Sequence, residues 1–346
     1  MKKLAILLSI VLVALSLSAC GGNSDRITLN VYNWGEYIDE SVLDDFEAKY
    51  PNIKINYETY ADNETMYTKL KGGGSSYDVL IPSDYMIARL IDEDLLQKLN
   101  FDNIPNYSYI DDKYKGWSYD PENEYSVPYM WGTLGILYDK TKVSEKDFTW
   151  NTLFDPKYER SVLMKNDMRD TLGLTLKSLG YSMNSTSEKE LKEAKEKLIA
   201  QKPNVAGRVN DEGMDKMIAG EAPMAVMYSG DAAYCISENP DLDFAIPSDG
   251  TNYFVDAMVI PKNAEHKEEA ELFINFMCET ETALKNALEI GYSTPHTGAY
   301  EELPEKTKKS FQYPDDAILE SAEVYSYLKD KTDLYDKIWT DFIASI

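Results

Sequence analysis

Only two histidines occur in the 346 residues, His266 and His296, and neither has a cysteine nearby or acids at metal-ligand spacing. No Gly-x-Ser-x-Gly elbow is present. What recurs is a carboxylate or hydroxyl beside an aromatic ring, just where an apolar run ends. Trp34 and Tyr37 follow residues 27–31, and Ser83 and Tyr85 follow 79–81. Asp167 and Asp170 follow 162–164, and their spacing puts both on one side of a first helical turn. Tyr228 and Asp231 follow 225–227. Phe254 and Asp256 sit two apart, so on a strand they share a face. Tyr292 closes a helical stretch before 293–295. In open α/β sheets, ligands bind beyond the carboxyl ends of strands.

Three or more carboxylates among ring faces suit a ligand that is cationic at several points and apolar between them. An ammonium entering such a cleft loses its hydration and needs charged hydrogen bonds in return. A ring face over a desolvated cation adds about 0.5–2 kcal/mol. Each residue also has a structural use. Asp167 or Asp170 can cap a helix, Asp231 and Glu36 can complement a helix dipole, and Trp34, Tyr37 and Tyr292 can fill core. A sugar would want aromatic faces too, with more Asn, Gln and Arg and fewer acids. Two carboxylates in an aromatic cleft are also the equipment of a glycosidase, the one enzyme class these residues leave open.

The elements that must carry these residues alternate in period. Residues 27–31, 53–57 and 79–81 read as strands. Residues 39–50, 63–70 and 84–99 read as helices, the first ended by Pro51. The glycine run at 72–76 lacks the Lys-Ser/Thr of a phosphate loop and reads as a plain loop. After a Tyr-, Asp- and Pro-rich connection over 107–125, residues 126–129 lead into a strand at 133–138. Further strands are expected at 161–165, 224–228, 244–246 and 254–260. Further helices are expected at 168–179, 188–200, 213–219, 230–237, twice within 267–290, and over 314–346. This alternation predicts an α/β protein with mostly parallel sheets and covering helices.

The start has a different purpose. Lys2 and Lys3, an apolar run over 4–17 and Leu17-Ser18-Ala19-Cys20 make a secretory signal, too short for a membrane span. The last four residues resemble the bacterial lipobox. That resemblance implies cleavage before Cys20, lipid on its sulfur, and attachment to the outer face of the bacterial cell membrane. Residues 1–19 are then the signal peptide and 20–25 a flexible tether. The remaining 320 or so residues are too many for one core, which predicts two lobes. With 35 basic and 60 acidic residues the net charge is −25, and losing Lys2 and Lys3 takes it to −27. Such a field argues against nucleic acid and anionic lipid as partners. Cys235 and Cys278 read as small buried hydrophobes. No metal site or cofactor is expected.

The same residues carry a family resemblance. Tyr32-Asn33-Trp34-Gly35-Glu36-Tyr37, Asn63-Glu64-Thr65-Met66-Tyr67, Tyr77-Asp78-Val79 with Pro82-Ser83, residues 126–132, Leu179-Gly180-Tyr181, Pro203-Asn204-Val205 and Ile290-Gly291-Tyr292-Ser293-Thr294-Pro295 resemble the spermidine/putrescine-binding proteins of bacterial polyamine ABC transporters. The resemblance implies a periplasmic-binding-protein-like (type II) fold, with two α/β lobes, strands crossing between them and the ligand in the cleft. It implies a monomeric receptor that hands polyamine to a permease driven by a separate ATPase. It places lobe one at 26–132 plus 254–304 and lobe two at 133–253 plus 305–346. It assigns ligand contacts to Trp34, Tyr37, Ser83, Tyr85, Asp167, Asp170, Tyr228, Phe254, Asp256, Tyr292 and Tyr325. Tyr228 and Phe254 stand where spermidine-type members carry Trp, Asp170 where they carry Glu, and Tyr325 where they carry Gln. Asp231 resembles the putrescine-preferring branch, so the order of preference stays open. Receptors of the same architecture for a sugar, an iron complex or thiamine are the alternatives.

Overall fold

The computed structural model describes residues 26–73 and 76–346. The signal peptide, Cys20, the tether and two residues of the glycine run lie outside them. Strand β1 (Ile27–Trp34), helix α1 (Ser41–Lys49), strand β2 (Ile53–Tyr60), helix α2 (Asn63–Lys71), strand β3 (Val79–Leu80) and helix α3 (Asp84–Asp92) follow the predicted alternation. β1 pairs in parallel with β2 and with β3. Helix α3 stops at Asp92, short of the expected Leu99. Asp94 takes a left-handed conformation, and the chain leaves as an extended bridge from Leu96 to Pro261.

Strand β4 (Ser126–Asp139) is longer than its expected 133–138 core. All but one of its residues are buried, because it is covered on both faces. Its first half pairs with a later strand, β9 (Tyr253–Val259), and its second half with β7 (Met224–Tyr228) and β8 (Leu242–Ala245). It therefore runs out of one half of the molecule and into the other. Then come β5 (Val162–Lys165), α4 (Met168–Ser178), α5 (Glu188–Ala200), β6 (Val205–Val209), α6 (Glu212–Ile218), β7 (Met224–Tyr228), α7 (Ser229–Glu238) and β8 (Leu242–Ala245). β6 has no counterpart among the expected strands, since Gly207 and Arg208 break its apolar alternation. β5 pairs in parallel with β6 and β7. Strand β9 (Tyr253–Val259) returns to the first half, antiparallel to β3 and β4, and is followed by α8 (Lys267–Met277) and α9 (Thr280–Ile290). Gly291, at φ +74, ends α9 in the left-handed conformation that glycine favours.

The expected C-terminal helix over 314–346 is two pieces. A short helix (Asp316–Ser321) and helix α10 (Thr332–Ile343) are separated by a non-helical strap over 322–328 and a 3-10 turn (Lys329–Lys331). The strap is not helical because its backbone is bonded sideways. Glu323 N donates to Thr251 O, and Tyr253 N donates to Glu323 O.

Apolar side chains divide accordingly. One cluster gathers Leu29, Val31, Phe46, Leu80, Met258 and Phe273. Two more gather Leu134, Met164, Leu172 and Phe342, and Leu137, Met217 and Phe244. Residues 305–328 touch both sides: Tyr313, Leu319 and Tyr325 pack on the first cluster, and Leu328 on the second. Cys235 and Cys278 are buried free thiols, as their apolar neighbours predict. Among the described residues, no helix is long and apolar enough to cross a membrane.

Candidate functional site

Between the halves lies a narrow cavity of about 60 Å³. One water needs about 10–15 Å³ by this measure, so the space has room for several small groups. All twelve residues expected from the sequence border it. Trp34, Tyr37, Ser83, Tyr85, Phe254, Asp256 and Tyr292 come from the first half. Asp167, Asp170, Tyr228 and Asp231 come from the second, and Tyr325 from the strap.

Each side chain is held by the element that carries it. Trp34 ends β1, and its indole donates to Ile81 O at 2.9 Å while the ring leans on Tyr60 at 4.7 Å. Tyr37 sets its ring edge-on to Tyr292 at 4.8 Å and donates its hydroxyl to Asp256 Oδ2 at 2.7 Å. Asp256 is 4 % exposed, and its Oδ1 is a buried oxygen without a hydrogen-bond partner. Tyr85 receives a bond from Asn63 and donates to Glu64 Oε1, both at 3.1 Å. Across the cavity, Asp167 caps α4 by accepting from Asp170 N at 2.9 Å, so its capping use holds alongside its place at the wall. Asp170, 2 % exposed, accepts a short hydrogen bond from Tyr228. Asp231 stands in the first turn of α7 and accepts from Tyr292 at 2.7 Å, a bond that joins the two halves. Tyr228 and Phe254 meet edge-on at 5.3 Å.

The electrostatics have one sign. Burial pushes the Asp256 carboxyl up to about 6, against the pull of the nearby Ser83 hydroxyl and the Tyr37 hydrogen bond. Burial, helped by the charge of Asp167, also raises Asp170. Burial raises Asp231, with Lys165 opposing it. Asp84 also borders the cavity, and burial with the nearby charge of Asp256 pushes it up to about 8. Against these acids the only cation bordering the cavity, among the described residues, is Arg169, with the Lys165 ammonium 4.1 Å from the Tyr228 ring centre. Desolvated carboxylates in such excess are costly until a cation pairs with them.

Sequence reasoning left six bordering residues unassigned: Gly35, Asn63, Asp84, Arg169, Asp211 and Asn252. Asp84 and Arg169 sit inside motifs already singled out, and their burial was the missing information. Asp211 is exposed in a loop and carries no sequence signal. It reaches the wall because Gly35 lets it approach: a Cβ on Gly35 would lie 2.5 Å from its Oδ2. Glu36 does not complement α1, which starts five residues later and has Asp44 in its first turn. It borders a second, wider cavity of about 510 Å³ with Asp211, Glu212, Asp215, Asp231 and Glu289. Asp211 and Asp231 border both spaces, so the narrow cavity adjoins an acidic one. Among the described residues, no group of acids, histidines or cysteines is arranged to hold a metal.

The lobes meet closely at Gly230, where an added Cβ would lie 2.0 Å from Tyr292 Cδ2. Gly230→Ala should therefore push Tyr292 off Asp231 and weaken ligand binding by about 1–3 kcal/mol. Titration of the variant checks this, and unchanged affinity would show that Tyr292 is not a wall of the site.

Comparison with known proteins gives consistent matches. The profile of the family described as bacterial extracellular solute-binding protein matches residues 41–315. A spermidine/putrescine-binding periplasmic protein of Salmonella typhimurium is 34 % identical, with 94 % of each chain covered. Among solved structures, an ABC transporter protein from Listeria monocytogenes superposes with a TM-score of 0.88 at 43 % identity, covering 91 % of this chain and 98 % of that one. A spermidine/putrescine ABC transporter substrate-binding protein from Streptococcus pneumoniae gives 0.79 at 40 % identity, covering 92 % and 99 %.

Proposed function

The chain belongs to the bacterial extracellular solute-binding proteins, and from that membership and the cleft we propose that it captures polyamines, spermidine or putrescine, for an ABC permease driven by a separate ATPase. The observation that carries this reading is the Asp256 carboxylate, buried, with one oxygen lacking a hydrogen-bond partner, in a cavity it shares with the buried acids Asp170 and Asp231 and with aromatic walls. A slender chain with an ammonium at each end meets both requirements. Its charges replace the water that the acids have lost, and its methylenes lie along rings.

In this reading Asp256 holds one ammonium and Asp170 or Asp231 holds another. Trp34, Tyr37, Tyr85, Tyr228, Phe254 and Tyr292 line the path between them, with Ser83, Asp167 and Tyr325 at the walls. The lobes, 26–132 plus 254–304 and 133–253 plus 305–346, close over the ligand by a hinge at β4 and its neighbouring crossings. Cys20 carries the lipid that keeps this monomeric receptor at the membrane beside its permease. The acidic second cavity supports the reading by raising the local concentration of cations near the slot.

Thermal unfolding with candidate ligands tests it, since a ligand that binds only the folded chain stabilises by RT ln(1 + [L]/Kd). Putrescine or spermidine should raise the midpoint, and arginine, thiamine and a neutral disaccharide should not. A shift with the sugar or thiamine alone would overturn it.

A further inference from the structure

The strap over 322–328 lies in no helix, yet it carries Tyr325 into the ligand cleft. Glu323 anchors the start of the strap to Thr251 and Tyr253, and a clamp from the second half holds the part that carries Tyr325. Asn184, outside the cleft, donates from Nδ2 to Val324 O at 2.8 Å. Its Oδ1 accepts from Ser326 N at 2.9 Å and from Arg169 Nη2 at 3.0 Å. Arg169 Nη1 donates to Ser326 O at 3.0 Å. So one amide and one guanidinium bond the backbone on both sides of Tyr325. The guanidinium carbon also lies 4.5 Å from the Tyr325 ring centre, which holds the ring from its face. On the other side Gly173 of α4 leaves the room: a Cβ there would be 2.6 Å from the Tyr325 hydroxyl.

We propose that Asn184, with Arg169, is a positioning residue for ligand recognition, acting through Tyr325 by bonding the strap on both sides of it. The inference rests on the polyamine reading of the cleft. Asn184 does not border the cavity, so its effect must pass through what it holds. Beyond Glu323 the strap forms no helix or sheet, so these bonds set where the Tyr325 ring sits.

A double-mutant cycle decides it. Asn184→Ala should weaken binding of putrescine and spermidine about tenfold in the wild-type background. It should change affinity less than about twofold when Tyr325 is already alanine. Gly173→Ala, which crowds the Tyr325 hydroxyl, should behave alike and serves if Asn184→Ala does not fold. Amide hydrogen exchange at Ser326, whose N–H donates to Asn184 Oδ1, should rise at least tenfold in Asn184→Ala without ligand. An equal loss of affinity in both backgrounds, or none in the first, overturns the proposal, as does unchanged exchange. Wild-type protein that binds neither polyamine contradicts the functional reading instead, and hydrogen exchange then still decides whether the clamp exists.

Discussion

Replacing Asp256 by asparagine should weaken polyamine binding by about 2–5 kcal/mol, roughly thirty- to several-thousandfold in Kd. The size follows from where the group sits. Its Oδ2 accepts from Tyr37 at 2.7 Å, and its Oδ1 is buried with no protein partner. An ammonium placed there would gain a charged hydrogen bond in a site already stripped of water, where such bonds are about twice as strong as neutral ones. Asparagine keeps the shape and removes the charge, so the ammonium would be left buried and unpaired. Folding should not suffer, because the neutral amide is cheaper to bury than the carboxylate. Titration and thermal unfolding of the variant separate the two effects. Normal affinity in Asp256→Asn would remove this residue from the site.

The second large effect is on pH. Asp256 has its carboxyl raised to about 6 by burial, and Asp170 and Asp231 are raised in the same direction. A bound ammonium favours the ionised carboxylate and opposes that rise. Below about pH 6, a proton must therefore leave Asp256 before the ligand can pair with it. Affinity should be full at pH 7.5. It should fall by about tenfold at pH 5 from Asp256 alone, and by more with Asp170 and Asp231. The ligand's amines stay protonated throughout this range, so they do not supply the slope.

The stability of the protein without ligand runs the other way. An acid whose folded pKa is raised costs stability once it is ionised, so the cost is present above the folded value and disappears as pH falls through it toward the unfolded one. On these groups alone, the unliganded chain gains stability between pH 7.5 and 5 while the ligand-induced shift shrinks. Paired unfolding curves across that range check both signs, and a ligand-induced shift independent of pH would contradict them.

How much of this was legible in the sequence depends on range. The alternation of strand and helix over 27–92 is local, and the chain folds as read there. Most of the aromatic–acid pairs are local too, and those after β1, β3, β5 and β7 point to one cleft because parallel strands deliver their carboxyl ends to one edge, while Phe254 and Asp256 reach it from the start of the antiparallel β9. Segments fixed by distant partners were not legible. Strand β4 runs on to Asp139 as one piece because β9, β7 and β8 each pair part of it. The strap is not helical because Thr251, Tyr253 and Asn184 hold its backbone, although Val324, Tyr327 and Leu328 have helical spacing. Asp211 could not have been found, because only the approach of Gly35 makes it a wall. Arg169 was visible as a charge, but its burial among Tyr85, Tyr325 and Tyr335 depends on three separate segments.

Calorimetric titration of the mature chain with putrescine and spermidine at pH 7.5 tests the central claim most directly. At least one of them should bind with Kd below about 100 μM, near −5.5 kcal/mol, at one site per chain. No measurable binding of either polyamine at that level would contradict the account.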